Sequence, residues 1–251
     1  MFGNASGLVN RGAATVIAAW LDRLHRALLP STCLLCGAVG TAGRDLCAGC
    51  AAALPRNLAP CPHCALPLAD GRTGPCDPCR SRIQTFDRAF APFRYQPPVD
   101  FLLRRLKFDG RLSHARLLGE LLAAALAERG DPPPDCIVPV PLHPLRLRER
   151  GFNQALELAR APARHFRIPL VAAGLRRVRH TAPQTQLDAR GRLTNPLGAF
   201  ALGRPLHGPR VALVDDVMTT GSTVAECARV LRVGGATEIE VWAIGRAGAW
   251  Y

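Results

Sequence analysis

The chain alternates between stretches whose apolar positions recur every three to four residues and short runs that are largely apolar throughout. Residues 136–140, 170–172, 211–214 and 238–244 are of the second kind. Their Val, Ile and Leu content is that of strands buried in a parallel sheet. Residues 114–127, 153–166 and 224–232 carry the helical period, with Pro162 a candidate kink. Asp109-Gly110 reads as a turn after residues 101–108, residues 131–135 as a loop, and Pro97-Pro98 as a stiff junction. Strand and helix alternate, which predicts an α/β fold with a mainly parallel sheet over residues 81–251. Ahead of it, Val16, Trp20, Leu24 and Leu28 share one face of an amphipathic helix within residues 1–29. Asp22, Arg23, His25 and Arg26 cut its apolar run too short for a membrane span, and no small-residue cleavage site precedes them. This helix is expected to pack on the protein, with membrane contact the alternative, and the chain reads as cytoplasmic.

Residues 30–80 are organised by cysteine instead. Eight of the ten cysteines form the pairs Cys33/Cys36, Cys47/Cys50, Cys61/Cys64 and Cys76/Cys79, separated by ten, ten and eleven residues. A two-residue gap lets one turn aim both sulfurs at a single tetrahedral ion, so two pairs complete a four-cysteine zinc site. Two structural Zn²⁺ ions are expected, with the pairs combined sequentially or crossed, first with third and second with fourth. Gly37 supplies tight backbone after the first pair, and His63 reads as a bystander. A disulfide framework is disfavoured in a chain without a secretion signal. The short, proline-rich connections cannot build a core, so metal binding would fold this segment. The expected divisions are a helix (1–29), a double zinc ribbon (30–80) and an α/β domain (81–251) that survives removal of the first eighty residues.

The formal charge of +13 is almost entirely arginine, and Lys107 is the only lysine. Eight thiolates with two Zn²⁺ add −8 and +4, bringing the charge from +13 to about +9. Such a balance suits anionic partners, phosphorylated substrates or nucleic acid, or reflects an arginine-rich composition. Lys107 is either a compact charge near the ligand or a solvated helix residue.

The densest chemistry follows the run at 211–214. Asp215 and Asp216 end it, then come Thr219, Thr220, Gly221, Ser222 and Thr223, and then a helix. A ligand of an open α/β sheet lies beyond the carboxyl ends of its strands, where this loop falls. Backbone N–H groups near Gly221, hydroxyls and a helix N-terminus suit a phosphate; the carboxylates suit sugar hydroxyls with Mg²⁺ nearby. A phosphoribosyl diphosphate (PRPP) carries all three. No Gly-Lys-Ser/Thr closes the loop, so it is not a Walker P-loop. Upstream, Pro139, Val140, Pro141, Leu142 and His143 leave a strand as a tight turn whose amides could hold pyrophosphate. Arg146, Arg148 and Arg150 follow with guanidinium forks for phosphate oxygens. The polar stretch 176–187, including Arg177, Arg179, Thr181 and Gln184, reads as a lid, or alternatively as a solvated basic loop.

The Asp215-to-Thr223 string resembles the PRPP-binding motif of type I phosphoribosyltransferases. The wider order of motifs resembles the ComF family: cysteine pairs, Leu106-Lys107-Phe108, Val-Pro-Val-Pro-Leu from Val138, Arg-x-Arg-x-Arg-Gly-Phe-Asn-Gln from Arg146, and the Asp-Asp-Val loop, spread over roughly residues 30–245. The resemblance implies a type I phosphoribosyltransferase-like sheet with an N-terminal double zinc ribbon, and an association with natural competence and DNA uptake. Asp215 and Asp216 would meet the ribose 2′ and 3′ hydroxyls, residues 219–223 the 5′-phosphate, and residues 139–143 the pyrophosphate. Purine-salvage relatives carry an aspartate where this chain has Thr219, which cannot serve as a base at neutral pH. His180 in the lid is the substitute candidate. The implied activity is Mg²⁺-dependent transfer of a phosphoribosyl group to an acceptor the sequence does not specify; the alternative is a non-catalytic PRPP sensor that engages single-stranded DNA or a competence protein. Residues 33–79 hold only Arg44, Arg56 and Arg72 against Asp45, Asp70 and Asp77, with no Phe, Tyr or Trp for stacking. Weak, salt-sensitive DNA binding is therefore expected on the arginine set at 144–192.

Overall fold

Nine consecutive residues, β6 (Arg210–Met218), form an inner strand of a parallel sheet, flanked by β7 (Glu238–Arg246) and β3 (Cys136–Pro139). The computed structural model describes residues 31–41, 43–68, 72–81, 84–179 and 196–248. The helix expected over 1–29, and His180, Thr181 and Gln184 of the expected lid, lie outside the described residues. The sheet order is β1 (Arg88–Phe90), β7, β6, β3, all parallel. β2 (Phe93–Arg94) continues past β1 along the same edge of β7. The strand expected at 170–172 is reduced to one parallel bridge, Leu170 to Ile137. β7 is buried at every position but Glu238, and Val211 to Val214 of β6 are all buried, as strands covered on both faces require.

Apolar periodicity places the helices close to where the sequence does. α3 (Val99–Asp109) buries Val99, Leu102, Leu103 and Leu106 and stops at Gly110, which takes a φ of 63°. α4 (Leu112–Arg129) packs on α6 (Gln154–Phe166), and α6 packs on β3 and β6. The close point is Gly119, where a Cβ would stand 2.9 Å from the Leu158 carbonyl oxygen. Pro162, inside this helix, lacks the N–H that the Leu158 carbonyl would otherwise accept, and Gly119 leaves room beside that oxygen. β4 (Leu175–Arg177) and β5 (Phe200–Leu202) form a separate antiparallel ribbon on either side of residues 180–195. The remaining helices are α1 (Ala48–Ala52), α2 (Asp77–Ser81), α5 (Pro144–Arg150) and α7 (Ser222–Val233).

Two expectations change. The strand expected to end before the acids runs on to Met218, because β7 supplies partners for it: Asp215 pairs with Ala243, Val217 with Gly245 and Met218 with Arg246. Leu54–Tyr251 forms one compact unit, so the second cysteine cluster shares the packing of the α/β core. Cys61, Cys64, Ala65 and Cys76 share a buried cluster with Leu213, Met218 and Val241.

Candidate ligand site and zinc centres

Successive side chains of a strand point to opposite faces, and β6 uses this to separate its two acids. Asp216 is 5% exposed and pairs with the Lys107 ammonium from α3. Its other oxygen accepts the Val217 N–H at 2.9 Å. Burial opposes the charge on Lys107, but Asp216 and then Asp215 more than offset it and hold the ammonium above its ordinary pKa. Lys107 is thus paired with Asp216 and largely buried, not a solvated helix residue. Burial pushes the Asp215 carboxyl well above the usual range, and the Asp216 charge adds to the rise. The Asp216 N–H, which donates to Asp215 Oδ1 at 2.9 Å, and Lys107 act the other way.

Beyond Met218 the chain turns through Thr219 and Thr220 to Gly221, the N-cap of α7, at a φ of 80°. A Cβ here would approach the Met218 methyl at 2.9 Å, but that is the end of a flexible side chain that can shift, so it is the positive φ that calls for glycine. Thr220 Oγ1 and Ser222 Oγ lie 3.0 Å apart, and the first turn of α7 points its N-terminus along the same loop. Hydroxyls, backbone N–H groups and a helix dipole thus converge just past two carboxylates, an arrangement that can hold a phosphate beside a polyol.

Pro139 is in register with Val214, which sets the second loop beside the first. Two of its residues are prolines and the Val140 N–H donates to the Val214 carbonyl, so its other backbone N–H groups are those of Leu142 and His143. His143 caps α5 through its Nδ1, which accepts the Leu145 N–H at 3.3 Å. On this helix Arg146 and Arg150 share a face whereas Arg148 points away and is exposed; the alternating spacing that makes the three look equivalent in sequence separates them in a helix. Burial lowers the pKa of Arg150, opposed by Asp216 and reinforced by Arg146. Burial also lowers that of Arg177, on β4, where Cys227 and Asp215 oppose the fall and Arg146 adds to it. Lys107 thus pairs with Asp216, the charges of Arg150 and Arg177 are felt by Asp216 and Asp215 respectively, and Arg146 acts on both arginines. Arg179 is exposed and donates to the Leu197 carbonyl at 2.5 Å, tying the start of the expected lid to the chain just before β5.

Sequence reasoning assigned no role to three residues that build this site. Asn153 caps α6 by accepting the Ala155 N–H at 3.0 Å and donates to the Val140 carbonyl at 3.1 Å, fixing the turn. Gln154 accepts from Arg150 at 2.6 Å. Both belong to the Arg-Gly-Phe-Asn-Gln string, so a signal existed. Arg246 had none: it is buried, and it donates to the Met218 carbonyl from the end of β7.

The thiol groups fit zinc. Cys33, Cys36, Cys47 and Cys50 form one cluster and Cys61, Cys64, Cys76 and Cys79 the other, with all ligand sulfurs of a cluster within 4.8 Å of one another. The pairing is sequential. Sulfur separations of 3.6 Å (Cys36–Cys47) and 3.5 Å (Cys64–Cys76) match the edge of about 3.8 Å that Zn–S bonds of about 2.3 Å give a tetrahedron. Burial opposes the Cys61 thiolate, yet the N–H groups of Cys76, Cys64 and His63 bring its pKa down to about 7. Cys33 falls to about 6 in the same way, through Cys47, Leu35 and Cys36. Gly37 and Ala65 occupy equivalent places after their first pairs, at φ values of 77° and 55°. The strained Ala65 is held by Asn57, whose side chain donates to its carbonyl at 2.8 Å.

Sheet, acid strand, phosphate-type loop and sulfur clusters define a class, an α/β protein with a parallel sheet and an N-terminal double zinc ribbon. A family model described as a double zinc ribbon domain matches residues 24–86. The chain is 37% identical over 223 residues to the DNA utilization protein YhgH of Salmonella typhi, covering 87% of this chain and 98% of that one. It is 34% identical to Competence protein F of Haemophilus influenzae (86% and 96% covered) and 24% identical to Competence protein ComFC of Streptococcus pneumoniae (74% and 80%). The chain belongs to the ComF family. Two solved structures overlap parts of it: an allosteric regulatory enzyme of purine biosynthesis (TM-score 0.35, 22% identity, 51% of this chain and 25% of that one) and a purine phosphoribosyltransferase from Pyrococcus horikoshii (0.31, 20%, 54% and 84%). Among the described residues, no helix is long and apolar enough to cross a membrane.

Proposed function

We propose that this chain binds PRPP with Mg²⁺ at the carboxyl ends of β6 and β3 and transfers the phosphoribosyl group to an acceptor nucleophile in the uptake or use of DNA. The observation that carries the reading is the continuity of the Asp215-Asp216 pair with the Gly221 turn and α7, beside the Pro139 loop. Asp215 and Asp216 hold the ribose hydroxyls, residues 219–223 the 5′-phosphate, and residues 139–143 with Arg146 and Arg150 the pyrophosphate. Mg²⁺ supplies charge neutralisation on the diphosphate. The C1′–O bond breaks with its electron pair leaving on pyrophosphate, and the acceptor's lone pair forms the new bond to C1′. This chain's own part is positioning, together with cations preorganised where the departing charge develops. The names of its relatives support the setting in DNA utilization and competence.

Thr219, where a carboxylate base would stand, favours a second reading in which PRPP is bound and sensed without transfer. Incubation of the full chain with PRPP, Mg²⁺ and a panel of bases, following pyrophosphate release, separates the two. Transfer predicts base-dependent release that falls roughly 10²–10³-fold when Arg150 is replaced by Met. Saturable PRPP binding with no base-dependent release assigns the sensor role instead.

A further inference from the structure

One buried side chain joins the second zinc knuckle to the phosphate loop. Arg246, the last residue of β7, is 5% exposed. Its Nε donates to the carbonyl of Cys64 at 2.9 Å. Its Nη1 donates to the carbonyls of Met218 at 2.9 Å, Thr219 at 2.5 Å and Ala247 at 2.7 Å. Cys64 is a zinc ligand in the sulfur cluster, and Met218 and Thr219 are the residues at which β6 becomes the loop. Cys64 lies 182 positions before Arg246 in sequence, and one planar group holds it to the start of the loop.

The charge needs a counterpart as well. Among the described residues no carboxylate forms an ion pair with Arg246. A buried guanidinium without an opposing charge is costly. A zinc centre of four cysteines carries roughly two net negative charges, four thiolates against one divalent ion. The Cys64 carbonyl that Arg246 Nε reaches at 2.9 Å belongs to a ligand of that cluster, which places the cation beside it.

We propose that Arg246 is a positioning residue through which metal binding at Cys61, Cys64, Cys76 and Cys79 sets the conformation of the Thr219–Thr223 loop. With the ion bound, the Cys64 carbonyl is fixed, the guanidinium is balanced, and its Nη1 holds the carbonyls that open the loop. With the ion lost, the Cys64 turn is no longer fixed and the guanidinium Nε loses its placed acceptor. The Met218 and Thr219 carbonyls then lose their donor. The affinity consequence rests on the reading of this loop as a phosphate cradle; the conformational coupling does not.

Hydrogen exchange on the full chain without ligand tests the coupling. Arg246→Met should speed exchange across residues 218–225 about tenfold, while residues 136–139 of β3 stay within about twofold. Cys79→Ser, which empties the second site, should do the same, and the double variant should add nothing to either. Arg246→Lys keeps the cation but forfeits the fork and should fall between. Calorimetry with PRPP and Mg²⁺ should show affinity about tenfold weaker in Arg246→Met. Loop exchange unchanged in Arg246→Met or in Cys79→Ser, with β3 protection intact, would overturn the proposal. Should Arg246→Met fail to fold, unchanged loop exchange in Arg246→Lys would overturn it equally. A wild-type chain that ignores PRPP yet shows the exchange coupling refutes the ligand assignment alone.

Discussion

A chain beginning at residue 81 should fail to fold, whereas one beginning at Leu54 should fold and hold one zinc ion. Cysteine content alone suggests a detachable segment ending near residue 80. The contacts place its second half inside the α/β core. Leu54, Cys61, Cys64, Ala65 and Cys76 are all less than 9% exposed. The Arg94 N–H donates to the Pro55 carbonyl at 2.8 Å, and the Asn57 N–H to the Pro92 carbonyl at 2.9 Å. The Asn57 side chain donates to the Ala91 carbonyl at 3.2 Å, and Arg246 to the Cys64 carbonyl at 2.9 Å. Truncation at 81 orphans all four partners, at about 1–3 kcal/mol each. That loss is comparable with the roughly 5–15 kcal/mol by which a whole domain is stable, before the exposed apolar surface is added. Thermal melts with metal analysis on chains 54–251 and 81–251 check this. A cooperative melt of 81–251 within a few degrees of the full chain would contradict it.

Lys107→Met should destabilise the fold by about 3–5 kcal/mol near neutral pH, the ordinary cost of stripping one partner from a buried ion pair. The Lys107 side chain is 23% exposed and that of Asp216 7%, so solvent screens the pair little. Its removal leaves the buried Asp216 carboxylate without its ion-pair partner. The sign of the pH dependence follows from the shifts. Lys107 is held above its ordinary pKa, so its contribution is fully present below that ordinary value and is lost only as pH rises through the raised one. Asp215 is also held above its ordinary value, so stability falls as pH climbs from the usual carboxylate range towards its raised pKa. Removing Lys107 enlarges that second penalty. The deficit of Lys107→Met should therefore shrink on acidification as Asp215 protonates. Asp216→Asn in the Lys107→Met background should recover much of the loss at neutral pH. Denaturant titrations at several pH values read both effects; a deficit independent of pH would show that the pair is not what the lysine supports.

The acid strand was legible because its chemistry is local. An apolar run, two carboxylates, a glycine amid hydroxyls and a helix occupy a single stretch of sequence, and their order alone implies their arrangement. The zinc ligands were legible for the same reason, although spacing left their pairing open. What was not legible depends on distant contacts. Lys107 could be read as a solvated helix residue until α3 placed it against Asp216. Arg148 looked equivalent to Arg146 and Arg150 until a seven-residue helix turned it outward. Arg246 is one of 31 arginines, the 32 basic residues less one lysine, with no local pattern to mark it. The boundary near residue 80 followed composition, while packing follows the carbonyls of Cys64 and Ala65 into the core.

Calorimetry with PRPP and Mg²⁺ titrated into the full chain, and into the Asp215→Ala/Asp216→Ala double variant, tests the central claim most directly. The wild-type chain should bind one equivalent in a Mg²⁺-dependent manner. The double variant should lose that heat while retaining two zinc ions. No binding by the wild type, or the same isotherm for both proteins, would contradict the assignment of the β6–α7 loop as the PRPP site.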